Sequence, residues 1–211
     1  MLKAHLRSQL LDQYPILADE DIPIVLQHDR VYSHATGARI NYTTYDLQRD
    51  QDIVHTSTDK ADILVHTPGS FVSDSRPSDC DAHDIYPWTY ARVIGIYHAN
   101  VYPPGASQPQ RTEFLHVRWF RRDPTSDFGS RVRRLERIQF VPHDTTTTTP
   151  AFGFIALSHV IRACHLIPAF HHLRTYSYLP TSYARDQAGD WKYYYVNRYA
   201  HLACISDTVY V

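Results

Sequence analysis

The chain has 211 residues, of which 43% are hydrophobic and 20% are charged. This balance excludes wholesale disorder and allows one principal domain with an extension. A net charge of -1 and a pI near 6.9 argue against a dedicated, non-specific DNA binder, because such proteins usually carry a basic excess over the whole domain.

Cysteines and hydropathy set further bounds. The three cysteines are far apart, which fits neither a disulfide framework nor a CxxC zinc site. No run of about 18 apolar residues occurs, and the N-terminus lacks the apolar core of a secretory signal. We therefore expect a nuclear or cytoplasmic protein that is not secreted and binds no membrane.

The first 60 residues predict an extension, a helix plus a hairpin, that packs on the core. In "LKAHLRSQLLD" the leucines at 2, 6 and 10 share one helical face, and Pro15 ends the helix. Two runs rich in Val, Tyr, Ile and Thr then flank Thr36 and Gly37, a pattern typical of a hairpin. Residues 61–211 are expected to form the main β domain.

The middle of the chain predicts neighbouring strands. "ILVH" and "WTYARVIGIYHANV" are apolar on both faces, whereas in "EFLHVRWF" the apolar residues alternate with His116 and Arg118. That alternation predicts a strand with one wet face, and "LERIQFV" repeats it. We expect a mainly β fold, a partly open barrel or sheet of short antiparallel strands with few short helices.

The C-terminal third is rich in aromatic residues. "WKYYYVNRYAHLACI" is a final strand candidate by its aromatic and β-branched content. The density of tyrosines after "DWK" also leaves open a self-associating structural domain.

Two families resemble parts of the chain. "ILVHTPG", "YARVIGIYHANV", "LHVRWFRRDP", "LERIQF" and "HVIRACHLIP" resemble the bromo-adjacent homology (BAH) domain of chromatin proteins, over roughly residues 62–170. "RINYTTYDLQRDQD", "RTEFLHVRWFRRDP", "AFGFIALSHVIRACHLIPAF" and "DWKYYYVNRY" resemble a domain near the end of open reading frames of KDZ and Plavaka-type transposons of mushroom-forming fungi, over about residues 39–199. The resemblances imply a transposon-derived chromatin reader; after Tyr199 the chain departs from the transposon pattern, as a truncated or drifted copy would.

Arginines concentrate between positions 111 and 137, where eight Arg stand against four acids. Arginine favours planar, bidentate contacts with phosphate or carboxylate. We expect the partner to be DNA phosphates or the surface of a nucleosome and its histones. The alternative is that these arginines pair with the acidic N-terminal half, since residues 1–90 hold 7 Lys and Arg against 14 Asp and Glu. The candidate binding residues are Arg118, Arg121, Arg122, Arg131, Arg133 and Arg134.

Aromatic residues on the two central strands supply a second candidate surface. They are Trp88, Tyr90, Tyr97 and Trp119, and those that converge at an edge would form a cage for a methyl-ammonium group. The alternative is that they belong to the core.

Histidines raise the question of a metal or a catalytic centre. The weak metal candidates are His159, Cys164, His165, His171 and His172. Their spacing matches no HxxxH or CxxC pattern, and no nucleophile elbow, phosphate-binding glycine loop or HExxH motif occurs. We expect no cofactor and no catalytic activity; a small enzyme or metal-binding protein that uses residues 159–172 is the alternative.

Overall fold

The computed structural model describes residues 1–13, 24–44, 48–66, 88–103, 106–126, 134–143 and 150–197. Strands dominate the described chain. Helix α1 (Leu2–Gln13) is followed by β1 (Val25–Leu26), β2 (Tyr32–Ser33), β3 (Ala38–Thr43), β4 (Arg49–Val54), β5 (Asp62–His66), β6 (Trp88–Tyr102), β7 (Gln110–Arg122), β8 (Arg137–Phe140), β9 (Phe152–Ala156), β10 (Val160–Ala163), β11 (Leu166–Pro168), β12 (Arg174–Thr175), β13 (Asp190–Trp191) and β14 (Tyr194–Val196). No helix in this part of the chain has the length and apolarity needed to cross a membrane.

One antiparallel sheet organises the molecule. Its strand order is β10-β5-β6-β7-β8-β14-β11, with β1 and β2 paired to β6, and β9 paired to β7. The sheet curls into a half-barrel, which confirms the prediction of a mainly β, partly open sheet. The register of the two long central strands, β6 and β7, shifts at a bulge between Val93 and Gly95. Because a bulge bends a strand and increases its twist, this bulge contributes to the curl of the sheet.

The predicted hairpin around Gly37 is wrong. Strand β2 pairs with β6, and the hairpin is formed one segment later by β3 and β4. Its turn is closed by Thr44, whose hydroxyl donates to the Gln48 carbonyl oxygen at 3.0 Å and accepts from the Gln48 amide. Gly37 serves close packing instead, since a Cβ there would lie 2.3 Å from the Val54 carbonyl oxygen.

Three apolar clusters hold the elements together. The first lies between the β3–β4 hairpin and one face of β5, β6 and β7. The second lies against the opposite face of β7, under β8, β11 and β14. In the third, Leu6 and Leu10 of α1 pack on Val101 and Phe114. The predicted helix and its apolar face are therefore confirmed, and the helix covers the far end of the long strands.

Candidate nucleic-acid interface

Strands β7 and β8 pair with each other, and we call residues 110–140 the β7–β8 hairpin. The described arginines of the arginine-rich segment lie on these two strands or next to them. The register of the hairpin places Phe120 opposite Phe140 and Arg122 opposite Ile138. Arg121 and Arg134 are exposed to solvent, and neither forms an ion pair with any residue that the structure describes. Arg131 and Arg133 lie outside the described residues.

The hairpin's own acids hold its other arginines. Arg122 donates through Nε to Glu136, a buried carboxylate that also accepts from the Tyr90 hydroxyl at 2.8 Å. At the edge of the sheet, the exposed guanidinium of Arg111 lies 2.7 Å from Glu113. Both pairs join residues of the same segment.

Asp123 and Arg137 form a similar link at the base of the loop. Arg137 Nε donates to Asp123 at 2.6 Å, and Asp123 also accepts from the backbone amide and the hydroxyl of Thr125. Burial raises the pKa of Asp123, but the hydrogen bonds from Thr125 and Arg137 outweigh it, so that this pKa lies below its ordinary value. The carboxylate is therefore charged at neutral pH and neutralises Arg137.

Arg118 is not a surface residue, and its assignment to a binding surface is wrong. Its side chain is 0% exposed, and its guanidinium donates to Asp190 at 2.7 Å and to the Ala184 carbonyl oxygen at 3.1 Å. The guanidinium carbon also lies 3.7 Å from the centre of the Phe140 ring. The alternation along β7 predicted that Arg118 faces solvent. In the structure Arg118 is covered by the segment between residues 174 and 191, which supplies the carboxylate of Asp190.

The proposed aromatic cage does not form. Tyr90 is buried and Trp88 half-buried, and both pack in the second cluster, whereas Trp119 packs against the first cluster on the other face of the sheet. Phe120 belongs to the second cluster with Tyr90, and neighbouring residues of a strand point to opposite faces. The ring of Trp119 therefore lies on the other side of the sheet from Trp88 and Tyr90, and these three rings cannot converge.

A different set of rings encloses a cation. The guanidinium carbon of Arg92 lies between 5.1 and 5.7 Å from the ring centres of Phe120, Phe140 and Tyr194. Two hydrogen bonds, of 2.7 and 2.8 Å, tie the same guanidinium to Asp62. Sequence reasoning missed this pair, although an arginine in the apolar strand "YARVIGIY" needs a buried acid opposite it.

The metal candidates do not assemble. Among the described residues, no three His, Cys, Asp or Glu side chains lie close enough together to hold a metal ion. Cys164 is buried, and burial first, then the charge of Asp62, raises the pKa of its thiol. His165 is exposed, and His171 and His172 belong to a 3-10 turn, Phe170–His172, on another edge.

A positive group of side chains adjoins the hairpin. Its members, which we call the basic cluster, are Arg137, His171, His172 and Lys192. His172 Nε2 lies 3.2 Å from an Arg137 nitrogen, and the ring of Tyr193 lies 4.6 Å from the Arg137 guanidinium carbon and 5.5 Å from Lys192 Nζ. Burial, together with the charges of Arg137, His171 and Lys192, lowers the pKa of His172. The lowered pKa favours the neutral form of His172, so Lys192 is the member that adds positive charge beyond the hairpin.

Fold and site together define a mainly β protein, built on a curled half-barrel sheet, with a positive edge formed by the β7–β8 hairpin and the basic cluster. Comparisons of the chain with protein-family models, with curated proteins and with solved structures found no match.

Proposed function

We propose that the protein is a non-catalytic recognition module of a transposon-derived protein, and that it binds DNA phosphates in chromatin through the β7–β8 hairpin. The residues that carry this role are Arg121 and Arg134, together with Arg131 and Arg133 between them in the chain. The likeness of the strand strings to the bromo-adjacent homology domain, and of longer strings to the fungal transposon domain, supports the proposal.

The observation that carries the proposal is the way in which charge is distributed over the hairpin. Its three described acids each contact an arginine of the same segment, and Arg118 is neutralised by Asp190. The exposed Arg121 and Arg134 therefore face no described acid, and their guanidinium groups are available to an anion from outside.

DNA phosphate fits this arrangement better than a carboxylate surface on a protein. Lys192 of the basic cluster adds a positive charge beyond the hairpin, and cations in succession match the regular row of charges on a nucleic-acid backbone. Binding restricted to the acidic surface of a nucleosome is the other outcome that the experiment can return.

The experiment compares the chain with the double variant Arg121→Ala/Arg134→Ala for binding to labelled duplex DNA over a range of salt concentrations. We expect weaker binding, and a slope of log affinity against log salt that is less steep by about two, because each lost phosphate contact removes about 0.9. The matched control is Arg39→Ala/Arg49→Ala, two exposed arginines on the β3–β4 hairpin.

Two results contradict the proposal. If Arg121→Ala/Arg134→Ala binds duplex DNA as tightly as the control variant does, the hairpin is not the interface. If the unaltered chain binds reconstituted nucleosomes but not naked DNA at low salt, the ligand is the protein surface of the nucleosome and not the phosphate backbone.

A further inference from the structure

A row of aromatic and guanidinium groups, exposed or half-buried, lies on strands β12 and β13 and on the segments beside them. Phe170 is 64% exposed and Tyr176 is 62% exposed, although both are large rings. Rings of this size are usually buried more deeply, and neighbouring exposed rings commonly mark an interaction site. We call the row the aromatic ribbon; its members are Phe170, Arg174, Tyr176, Arg185 and Trp191.

The strand register places these groups on one face. Arg174 is paired with Trp191, and Thr175 is paired with Asp190. Because side chains alternate across a strand, Asp190 points inward to Arg118, while Arg174 and Trp191 share the opposite face. Arg174 is exposed there, and Trp191 is half-buried because it also packs against the second cluster. The Arg174 guanidinium carbon lies 4.3 Å from the Trp191 ring, and Phe170 meets the same ring edge-on with ring centres 5.0 Å apart.

Tyr176 is held on the same face without being covered. A glycine at the next cross-strand position, Gly189, lets the ring lie over the backbone, where an added Cβ would be 3.1 Å from the ring. The Tyr176 hydroxyl donates to the Ala188 carbonyl oxygen at 3.3 Å, and the Arg185 guanidinium carbon lies 5.0 Å from the ring centre. The ring is therefore oriented in advance, which lowers the entropy lost when a ligand stacks on it.

Charge around the ribbon favours an anionic ligand. Arg174 is bonded to Asp186 at 2.8 Å, and Asp190 is already engaged with Arg118. Arg185 donates instead to neutral oxygens, the Leu179 carbonyl and the Thr181 hydroxyl, so that its positive charge is kept. Lys192, which follows Trp191 in the chain, adds a further positive charge.

We propose that the aromatic ribbon binds single-stranded nucleic acid, with unpaired bases stacked on Phe170 and Tyr176 and backbone phosphates held by Arg185 and Lys192. Flat rings beside guanidinium groups are the surface that single strands use, because every base has a stacking face while its backbone stays charged. Paired bases in a duplex do not offer those faces. This inference goes beyond the proposed function, because it assigns unpaired strands to a second surface and leaves the duplex to the hairpin.

The test measures binding of oligo-dT and of a duplex of equal length by fluorescence anisotropy. We expect oligo-dT to bind more tightly than the duplex, and Phe170→Ala and Tyr176→Ala each to weaken oligo-dT binding about tenfold or more, while duplex binding stays unchanged. Tyr176→Phe should retain oligo-dT binding because it keeps the stacking face. Tyr183→Ala, at a ring that is 78% exposed in the same segment, is the matched control.

The outcomes separate this inference from the proposed function. If Arg121→Ala/Arg134→Ala loses binding to both duplex and oligo-dT while the ring variants bind normally, the ribbon is not a binding site and the hairpin remains one. If the ring variants lose oligo-dT binding while Arg121→Ala/Arg134→Ala binds duplex and oligo-dT normally, the ribbon remains a binding site and the hairpin is not one. Ring variants that instead abolish a concentration-dependent dimer, measured by light scattering, would assign the ribbon to a second copy of the chain and overturn the inference.

Discussion

Breaking the buried ion pair between Arg118 and Asp190 by removing one partner is expected to destabilise the protein strongly. Both side chains are almost fully buried, and the bonded nitrogen and oxygen are 2.7 Å apart. At the effective dielectric constant of about 20 that describes most protein sites, two charges about 4 Å apart attract by about 4 kcal/mol. Removing one partner leaves the other charge buried, at a cost of about 3–5 kcal/mol.

We therefore expect Asp190→Asn to lower the free energy of unfolding by about 3–5 kcal/mol, measured by urea denaturation followed by intrinsic fluorescence. Arg118→Met should cost about as much, and it additionally leaves the Ala184 carbonyl oxygen without its donor. The double variant should cost clearly less than the sum of the two single variants, because neither charge then remains buried alone.

Salt supplies a second readout for this pair. The cost of Asp190→Asn should change little between low and high salt, since buried pairs are poorly screened. The matched control is Asp29→Asn, which removes an exposed partner of Lys3 and should cost less than about 1 kcal/mol. A cost below about 1 kcal/mol for Asp190→Asn, or strictly additive single variants, would refute the assignment of Arg118 to the core.

Four further predictions follow from described contacts. Asp123→Asn should destabilise the protein at neutral pH. The penalty should be complete above the ordinary pKa of 3.8 and should shrink as pH falls from there through the lower pKa of the folded state; urea titrations at several pH values measure this. Gly153→Ala should lower the melting temperature and shift Trp119 fluorescence, because a Cβ there would lie 2.6 Å from Trp119 Nε1. Cys164 should resist alkylation by iodoacetamide in the folded protein and react after unfolding, as peptide mass spectrometry can show. Leu173→Gly should raise stability by about 1 kcal/mol in thermal melts, because this 70% exposed leucine has a φ of 60°.

Strand positions were predictable because periodicity is a local signal. The runs around β5, β6, β7 and β8 have the residue pattern of strands, and the structure forms strands there. The spacing of Leu6 and Leu10 likewise predicted the apolar face of helix α1, which packs on Val101 and Phe114. The hairpin was misplaced because Gly37 has two physical uses, a tight turn or a close backbone approach, and only the distant Val54 decides between them.

The binding residues were harder to predict because burial depends on segments far away in the chain. Alternation along β7 put Arg118 on a wet face, but a layer contributed 66 to 72 residues later covers it. Asp62, the partner of Arg92, likewise lies 30 residues away in the chain. Charge counts identified the arginine-rich hairpin correctly as a local excess, yet they could not show which guanidinium groups its own acids would hold.

The salt dependence of duplex DNA binding by Arg121→Ala/Arg134→Ala tests the central claim most directly. The account predicts a slope less steep by about two and weaker binding at every salt concentration, with Arg39→Ala/Arg49→Ala unchanged from the unaltered chain. An unaltered slope in the hairpin variant, or an equal loss in both variants, would contradict a nucleic-acid interface at the β7–β8 hairpin.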